Sequence, residues 1–239
     1  MNSKYLYLKR FFDFLFALIG ILLLVPVFIP IIILLKFTAE GEIFYRQERI
    51  GKSMKSFYIL KFATMLKNSS KIGHGSLTVR NDPRITKAGV WLRRTKINEL
   101  PQLWNVLIGD MSFIGPRPLL LKGIGMYSEE ARLKIVSTKP GITGIGSLIF
   151  RDEEKLVTIY NEKGYDSKEY YQLYIFPFKG QLESWYITRQ SFLLDFKILF
   201  ATFWSVLTNQ INFIFRLFPS LPNRPEILTQ NYLLKLKKI

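Results

Sequence analysis

The sequence contains no cysteine, and only one of its 239 residues is a histidine. Without cysteine the chain cannot form disulfides, use a thiolate nucleophile or bind zinc through sulfur, and this composition is compatible with a reducing compartment. The single histidine, His74, lies among glycine and serine residues, so we interpret it as an exposed loop residue. A Ser-His-Asp hydrolase would have to be built on that one imidazole, and the Gly-x-Ser-x-Gly motif is missing.

Acidic residues are also few: 18 Asp and Glu stand against 34 Lys and Arg, which gives a formal net charge of +16. Such a chain attracts polyanions, namely nucleic acid, anionic lipid headgroups or phosphorylated substrates. The basic residues are spread along the sequence and no nucleic-acid-binding motif occurs, so we predict no nucleic-acid partner. A Walker A loop and a Gly-x-Gly-x-x-Gly motif are absent too, so phosphate must be bound by other groups.

A long hydrophobic run near the N-terminus is the first positive feature. Residues 14–35 include no charged side chain, and this length is sufficient for a bilayer-spanning helix. Pro26 and Pro30 lie within the run, and each removes a backbone donor and clashes with the preceding helical turn. We therefore predict a kink or break near Val25-Pro26.

The flanks of this run bear on whether it crosses the membrane. Basic residues lie on both sides of it: Lys4, Lys9 and Arg10 before it, and Lys36, Arg46, Arg49 and Lys52 after it. Because positive charge marks the cytoplasmic side of a membrane segment, a re-entrant hairpin fits better than a span. The alternatives are a proline-kinked transmembrane helix and a buried core helix. Asp13 could pair with Arg10 at the interface and anchor the hairpin, or it could be a solvated carboxylate.

The rest of the chain is predicted to be an α-rich α+β domain. We predict short strands over residues 43–45 and 57–60 around a basic turn at 46–52, helices over 85–92 and 128–136, and a turn-rich loop over 139–144. Residues 192–218 mix apolar and aromatic side chains with a few polar ones. They fit interfacial amphipathic helices with Trp204 at headgroup level, or alternatively a soluble core helix.

The clearest predicted helix follows Asn98. Its apolar positions Leu100, Leu103, Trp104 and Leu107 have the spacing i, i+3, i+4 and i+7. Asn98 is suited to be the N-cap, with Pro101 in the first turn. Helix N-termini favour anions, so a phosphate could bind near Glu99.

Several sequence motifs occur together and in order across about 190 residues. They comprise residues 9–14, 44–51, 61–65, 82–86, 98–103, 109–112, 115–118, 139–144 and 191–197, and include Asn98-Glu99-Leu100-Pro101-Gln102 and Gly115-Pro116-Arg117-Pro118. With these motifs the chain resembles the bacterial sugar transferases, the monotopic phosphoglycosyl transferases that move a sugar phosphate from a nucleotide sugar to polyprenyl phosphate.

The resemblance implies a covalent mechanism at Asn98-Glu99, where the family has an Asp-Glu pair. The first carboxylate would attack the phosphorus that bears the sugar and expel UMP, and the second would hold Mg²⁺. Arg117 would clamp a phosphate, and Arg93 and Lys61 are further candidate phosphate ligands. Pro26 would produce the hairpin that seats the active site at the membrane surface.

The resemblance also implies partners and a location. The expected partners are a UDP-sugar, undecaprenyl phosphate and membrane lipids, with a homo-oligomer left open, and the expected location is the cytoplasmic face of the bacterial inner membrane. Residues 1–36 would form the re-entrant helix, 37–190 the cytoplasmic catalytic domain, and 191–239 the C-terminal amphipathic helices and basic tail. The sugar and the glycan are not implied.

Two positions depart from the family pattern. Ala63 stands where a basic residue is common, which removes or relocates one anion contact. Asn98 is neutral and its amide oxygen is a poor nucleophile toward phosphorus. Two hypotheses follow: the chain still transfers sugar phosphate, through Glu99 as nucleophile or by direct attack of the lipid phosphate, or it is a catalytically impaired binding or partner subunit.

Overall fold

The computed structural model describes residues 3–38, 40–69, 82–208 and 212–235. The prediction for His74 lies outside the described residues. The chain divides into two compact units. Unit 1 comprises Met1–Tyr5, Arg49–Ser56 and Ser112–Ile239, and unit 2 comprises Leu6–Glu48 and Phe57–Met111.

Helix α1 (Ser3–Thr38) supplies the N-terminal part of unit 2 and is the one described helix long and apolar enough to cross a membrane. Only 11% of its most apolar window is buried, so it does not fit the alternative of a buried core helix. The helix continues through Pro26 and Pro30 without interruption, so the predicted break is not observed as a helix end. The re-entrant path stays a prediction.

The rest of unit 2 is a strand pair followed by short helices. Strands β1 (Phe44–Ile50) and β2 (Ser56–Phe62) form a two-stranded sheet. Helix α2 (Lys87–Arg94) begins after Thr86, whose hydroxyl accepts a hydrogen bond from Gly89 N. A 3₁₀ segment (Ile97–Gln102) leads directly into α3 (Leu103–Ile108). The two predicted strands and the helix after residue 85 are thereby confirmed, with shifted bounds.

The predicted basic turn at 46–52 is wrong over most of its length. Residues 46–50 belong to β1, and the chain reverses at Gly51–Lys55, where Gly51 N donates to Lys55 O at 2.8 Å. Charged side chains can occupy this strand because it is mostly exposed. A buried cluster that comprises Ile31, Leu35, Phe62 and Leu92 forms the core of unit 2.

Unit 1 is mainly helical. Its helices are α4 (Leu121–Ile124), α5 (Glu129–Val136), α6 (Ile145–Ile149), α7 (Glu153–Glu162), α8 (Ser167–Tyr170), α9 (Phe176–Thr188), α10 (Phe192–Thr208), α11 (Asn212–Leu217) and α12 (Gln230–Lys235), with a π-helical turn at Tyr171–Ile175. The predicted helix at 128–136 is confirmed as α5, with Ser128 as its N-cap.

The predicted loop at 139–144 contains a strand. Strand β3 (Ser112–Ile114) pairs in parallel with β4 (Gly141–Thr143), with Ser112 opposite Gly141 and Ile114 opposite Thr143. A three-residue strand is too short to show an alternating pattern, which is why the sequence indicated only a loop. This pair fixes the loop that carries Arg117.

Helix α10 exposes several large apolar side chains and buries both apolar and polar ones. Phe196 is 68% exposed and Phe203 is 64% exposed, whereas Asp195 and Ser205 are buried. Ile198 and Ala201 of the same helix, together with Ile214 and Phe218, belong to the buried core cluster of unit 1. One face of the segment therefore packs on the core while another exposes apolar side chains, and both the interfacial position and the alternative of a core helix stay open.

Candidate active site

Lys61 and Glu99 form an ion pair in unit 2. Lys61 is the penultimate residue of β2, Glu99 lies in the 3₁₀ segment, and Nζ is 3.2 Å from Oε1. Both side chains are about one-fifth exposed, at 17% and 20%. The pair therefore joins a fixed cation and a fixed anion that solvent can still reach, which suits a site for a charged substrate.

Asn98 is buried beside this pair and is not a helix N-cap. The 3₁₀ segment is preceded instead by Lys96 in the left-handed conformation, with φ of 60°. An N-cap side chain accepts from the N–H two or three residues later, and Pro101, three residues after Asn98, has no N–H. Asn98 is 8% exposed, and its Oδ1 has no hydrogen-bond partner among the described residues.

The predicted apolar stripe after Asn98 is only partly buried. Leu103 is 7% exposed, whereas Trp104 is 51% exposed. Both residues lie in α3, whose buried residues are Leu103, Asn105 and Val106, so the buried face of this helix is not the predicted stripe and Trp104 lies on its exposed side.

Asn105 positions Lys61 and was not identified from the sequence. Its Nδ2 donates to Tyr58 O at 2.8 Å, and its Oδ1 accepts from Leu60 N at 2.9 Å. The side chain thus ties α3 to the backbone of β2 next to Lys61. A single polar residue within the otherwise apolar run of residues 103–108 was the available signal.

Arg93 and Thr64 form a second contact in unit 2. Arg93 Nε, near the end of α2, donates to Thr64 Oγ1 at 2.8 Å. Thr64 O in turn accepts from Thr86 N at 3.1 Å, directly before the same helix. Ala63 is buried, at 6% exposure. The pattern of the bacterial sugar transferases commonly has a basic residue at this position. The contact orients Arg93, while position 63 contributes no charge.

Arg10 contacts the carbonyl end of α3. Its two terminal nitrogens donate to Val106 O at 2.6 Å and to Leu107 O at 2.7 Å. A cation at this position bonds carbonyls of the last helical turn and interacts favourably with the helix dipole. Asp13 is 7% exposed, so the alternative of a solvated carboxylate is wrong, and its pairing with Arg10 stays a prediction.

Arg117 belongs to unit 1, where its loop is held by β3 and β4. Gly115 N donates to Thr143 O at 3.0 Å, and Gly141 N donates to Pro116 O at 2.9 Å. The side chain of Arg117 is exposed, while both flanking prolines are buried. A guanidinium presented in this way can bind a phosphate through two parallel hydrogen bonds.

The donor groups near Glu99 are compatible with Mg²⁺. Within the described ranges, no cluster of three or more His, Asp or Glu could hold a metal ion by itself. Mg²⁺ is commonly bound by one or two carboxylates together with water and substrate phosphates. Glu99 supplies a carboxylate, and the unpartnered Asn98 Oδ1 is another oxygen ligand of the required kind. The residues present therefore fit a magnesium ion.

Comparison with known proteins assigns the chain to a family. The bacterial sugar transferase family model matches residues 4–209. The UDP-galactose-lipid carrier transferase of Erwinia amylovora is 33% identical over 218 residues, which cover 84% of this chain and 40% of that protein. The undecaprenyl-phosphate galactose phosphotransferase of Salmonella typhimurium is 31% identical over 211 residues, covering 82% and 40%.

A shorter relative is covered more completely. The exopolysaccharide production protein ExoY of Rhizobium meliloti is 34% identical over 164 residues, which cover 63% of this chain and 72% of that protein. The chain spans about two-fifths of the length of the Erwinia and Salmonella proteins. Because the family match extends over most of its residues, the chain belongs to the bacterial sugar transferase family.

Proposed function

We propose that this protein is a phosphoglycosyl transferase that moves a sugar 1-phosphate from a UDP-sugar to undecaprenyl phosphate and releases UMP. The names of the Erwinia and Salmonella relatives describe a UDP-galactose donor and an undecaprenyl-phosphate acceptor. The observation that carries the proposal is the ion pair of Lys61 and Glu99, with Nζ and Oε1 3.2 Å apart. It supplies a fixed carboxylate and a fixed cation for a diphosphate substrate.

The proposed route is a single displacement. An oxygen of undecaprenyl phosphate attacks the phosphorus that bears the sugar, and the bond from this phosphorus to the bridging oxygen breaks as UMP leaves. Asn98 is neutral and cannot serve as the nucleophile. Of Asn98 and Glu99, Glu99 alone carries a carboxylate. Because this carboxylate pairs with Lys61, we assign it an electrostatic role and not attack on phosphorus.

The other site residues bind charge in this proposal. Lys61, Arg93 and Arg117 are the candidate phosphate ligands, since charge-assisted hydrogen bonds to phosphate are strong. Glu99 and the Asn98 oxygen would hold Mg²⁺. When bound, this ion neutralises the charge of the diphosphate.

The proposed location is the cytoplasmic face of the bacterial inner membrane. Helix α1 would enter and leave the bilayer on that face, because basic residues flank it on both sides and Pro26 weakens its middle. Helix α10 would lie in the interface. Its exposed Phe196, Phe203 and Trp204 form the kind of aromatic surface that inserts at headgroup level.

A second function is favoured by one observation, the neutral and buried Asn98. In this alternative the chain binds a nucleotide sugar without turnover and acts as a binding or partner subunit. It would then retain the phosphate-binding residues but lack sugar-phosphate transfer activity.

A UMP-release assay tests the proposed function. The purified protein in lipid nanodiscs is mixed with undecaprenyl phosphate, Mg²⁺ and one UDP-sugar from a panel that includes UDP-galactose. We expect UMP with at least one donor, and Glu99→Gln should abolish it. Glu154→Gln, at an exposed position of α7, is the matched control and should retain activity. UMP from none of the donors, with nucleotide-sugar binding intact, would favour the second function.

A further inference from the structure

A buried carboxylate in unit 1 has no part in the chemistry described so far. Glu183 lies on α9 and is 3% exposed. The backbone N–H of Arg117 donates a hydrogen bond to its carboxylate, whereas Oε2 has no hydrogen-bond partner among the residues that the structure describes. A buried and incompletely satisfied carboxylate is costly to a fold. Its presence therefore indicates a role other than stability.

The loop that contains Arg117 is packed backbone against backbone. A Cβ added to Gly115 would lie 2.5 Å from Lys139 O, and one added to Gly144 would lie 2.2 Å from Gly115 O. A Cβ on Gly141 would lie 2.1 Å from Gly115 N. These distances leave no room for a side chain, so glycine is required at all three positions. The backbone of the loop is therefore held rigidly where it contacts residues 139–144.

Arg117 is also restricted by its neighbours in sequence. Pro116 and Pro118 have fixed φ angles and lack an N–H, so the Arg117 N–H is the one backbone donor within residues 116–118. Glu183 is the group that accepts from it. The contact therefore fixes the backbone of Arg117, the residue whose side chain is exposed.

We propose that Glu183 is a positioning residue for Arg117, which fixes the backbone of the loop so that the guanidinium projects toward a substrate phosphate in one direction. The inference rests on the proposed function, because that function assigns phosphate binding to Arg117. Glu183 itself contacts no substrate.

The charges around Glu183 determine how this contact responds to pH. Lys179 lies one turn earlier on α9 and pairs with Glu153 at the start of α7, and Tyr127, just before α5, is close enough to interact electrostatically with Glu183. Burial raises the pKa of Glu183 to about 7, while Lys179 and the Arg117 N–H oppose the rise. The stronger acceptor, the carboxylate, is therefore lost as the pH falls below neutral.

Amide hydrogen exchange of the full-length protein in nanodiscs, without substrate, tests the contact. Glu183→Met keeps the approximate volume and removes the acceptor, so we expect exchange of the Arg117 amide to accelerate about tenfold or more. Glu183→Gln keeps an acceptor oxygen and should remain within about threefold of wild type. Glu154→Gln is the control and should change nothing. Exchange should accelerate at Arg117 and not at amides throughout the protein, which separates a local effect from global destabilisation.

A second variant, at Gly146, disturbs the same contact without changing Glu183. A Cβ at Gly146 would lie 2.3 Å from Glu183 Oε1, so Gly146→Ala should displace the carboxylate without removing it and accelerate the same amide. Titration calorimetry with UDP then measures the consequence for binding. Glu183→Met should weaken UDP binding as much as Arg117→Ala, the double variant should weaken it no further, and Glu183→Gln should restore it.

The outcomes separate this inference from the proposed function. Unchanged Arg117 exchange in both Glu183→Met and Gly146→Ala would overturn the positioning role. Faster exchange in these variants, with UDP binding unaffected by Arg117→Ala, would confirm the contact and contradict the phosphate-binding role of Arg117. Absence of UMP release would not alter the exchange result.

Discussion

Lys61 Nζ lies 3.2 Å from Glu99 Oε1, although 38 residues separate the two in the sequence. The side chain of Asn105 contributes to this proximity, because it bonds the backbone of β2 directly before Lys61. The pair lies next to Asn98, whose amide carries no charge. At Asn98-Glu99 this chain therefore has one carboxylate, whereas the pattern of the bacterial sugar transferases has two.

Removal of the Lys61 charge should weaken donor binding. In Lys61→Met we expect the KM for the UDP-sugar to rise about tenfold or more, because a charge-assisted hydrogen bond to phosphate is lost. Initial rates of UMP release over a range of donor concentrations measure this change. Lys87→Met, at an exposed position of α2, is the matched control. An unchanged KM in Lys61→Met would exclude Lys61 as a phosphate ligand.

Within unit 1, a buried carboxylate joins the beginning of α1 to α9 and α10. Tyr5 Oη and Tyr186 Oη each donate to a different oxygen of Asp195 at 2.8 Å. Tyr5→Phe should lower the free energy of unfolding by about 1–3 kcal/mol, since it removes a hydrogen bond to a buried charge. Thermal unfolding in detergent checks this. Tyr7→Phe, at a 79% exposed position, should be neutral, and equal effects of the two variants would contradict the account.

The stability of the protein should depend on pH through Glu183. Its pKa is raised from 4.5 to about 7, so between these values the folded state holds a proton that the unfolded chain has released. The free energy of unfolding of the wild type should therefore fall as the pH rises through this window, by up to about 3 kcal/mol. Glu183→Gln has no carboxylate to deprotonate, so its free energy of unfolding should not fall in this way. The free energy of unfolding of the variant minus that of the wild type should therefore increase as the pH rises to about 7 and then become constant. A constant difference from about pH 5 to about pH 8 would contradict the raised pKa.

The path of α1 can be tested by labelling, because the chain has no cysteine of its own. Tyr7→Cys and Phe37→Cys place single thiols at exposed positions near the two ends of the helix. For a re-entrant hairpin, a membrane-impermeant maleimide should label both thiols from the cytoplasmic side and neither from the outside. With Pro26→Ala and Pro30→Ala added, the helix should straighten and one thiol should become accessible from outside. Labelling of one thiol from each side in the proline-containing chain would establish a span.

The sequence motifs predicted the family, and local patterns predicted the element types better than their bounds. Asn98 was wrongly predicted to cap a helix because the spacing of apolar residues does not distinguish a 3₁₀ turn from an α-helix over one turn. The proline at position 101 held contrary information, since it removes one of the two N–H groups that such a cap can use. Sequence also could not show the burial of Asn98, which depends on tertiary packing.

Contacts between distant segments were the least predictable part of the site. The sequence named Lys61, Arg93 and Glu99 as candidates, but nothing in their spacing indicated that Lys61 pairs with Glu99. Glu183 carried no motif and lay in a sequence of mixed character, so its contact with the Arg117 backbone could be recognised only from the fold. Such pairings are set by chain topology and not by local propensity.

The dependence of UMP release on the lipid acceptor distinguishes the proposed single displacement from a covalent mechanism and from the absence of turnover. UMP is measured from the wild type and from Asn98→Asp, each with and without undecaprenyl phosphate. For the proposed single displacement, the wild type should release UMP only when the acceptor is present, whereas Asn98→Asp, which regains a carboxylate nucleophile, should release up to about one equivalent without it. A burst of UMP from the wild type without acceptor would contradict the account and indicate attack by Glu99. Turnover by Asn98→Asp alone would show that the wild type is a binding or partner subunit.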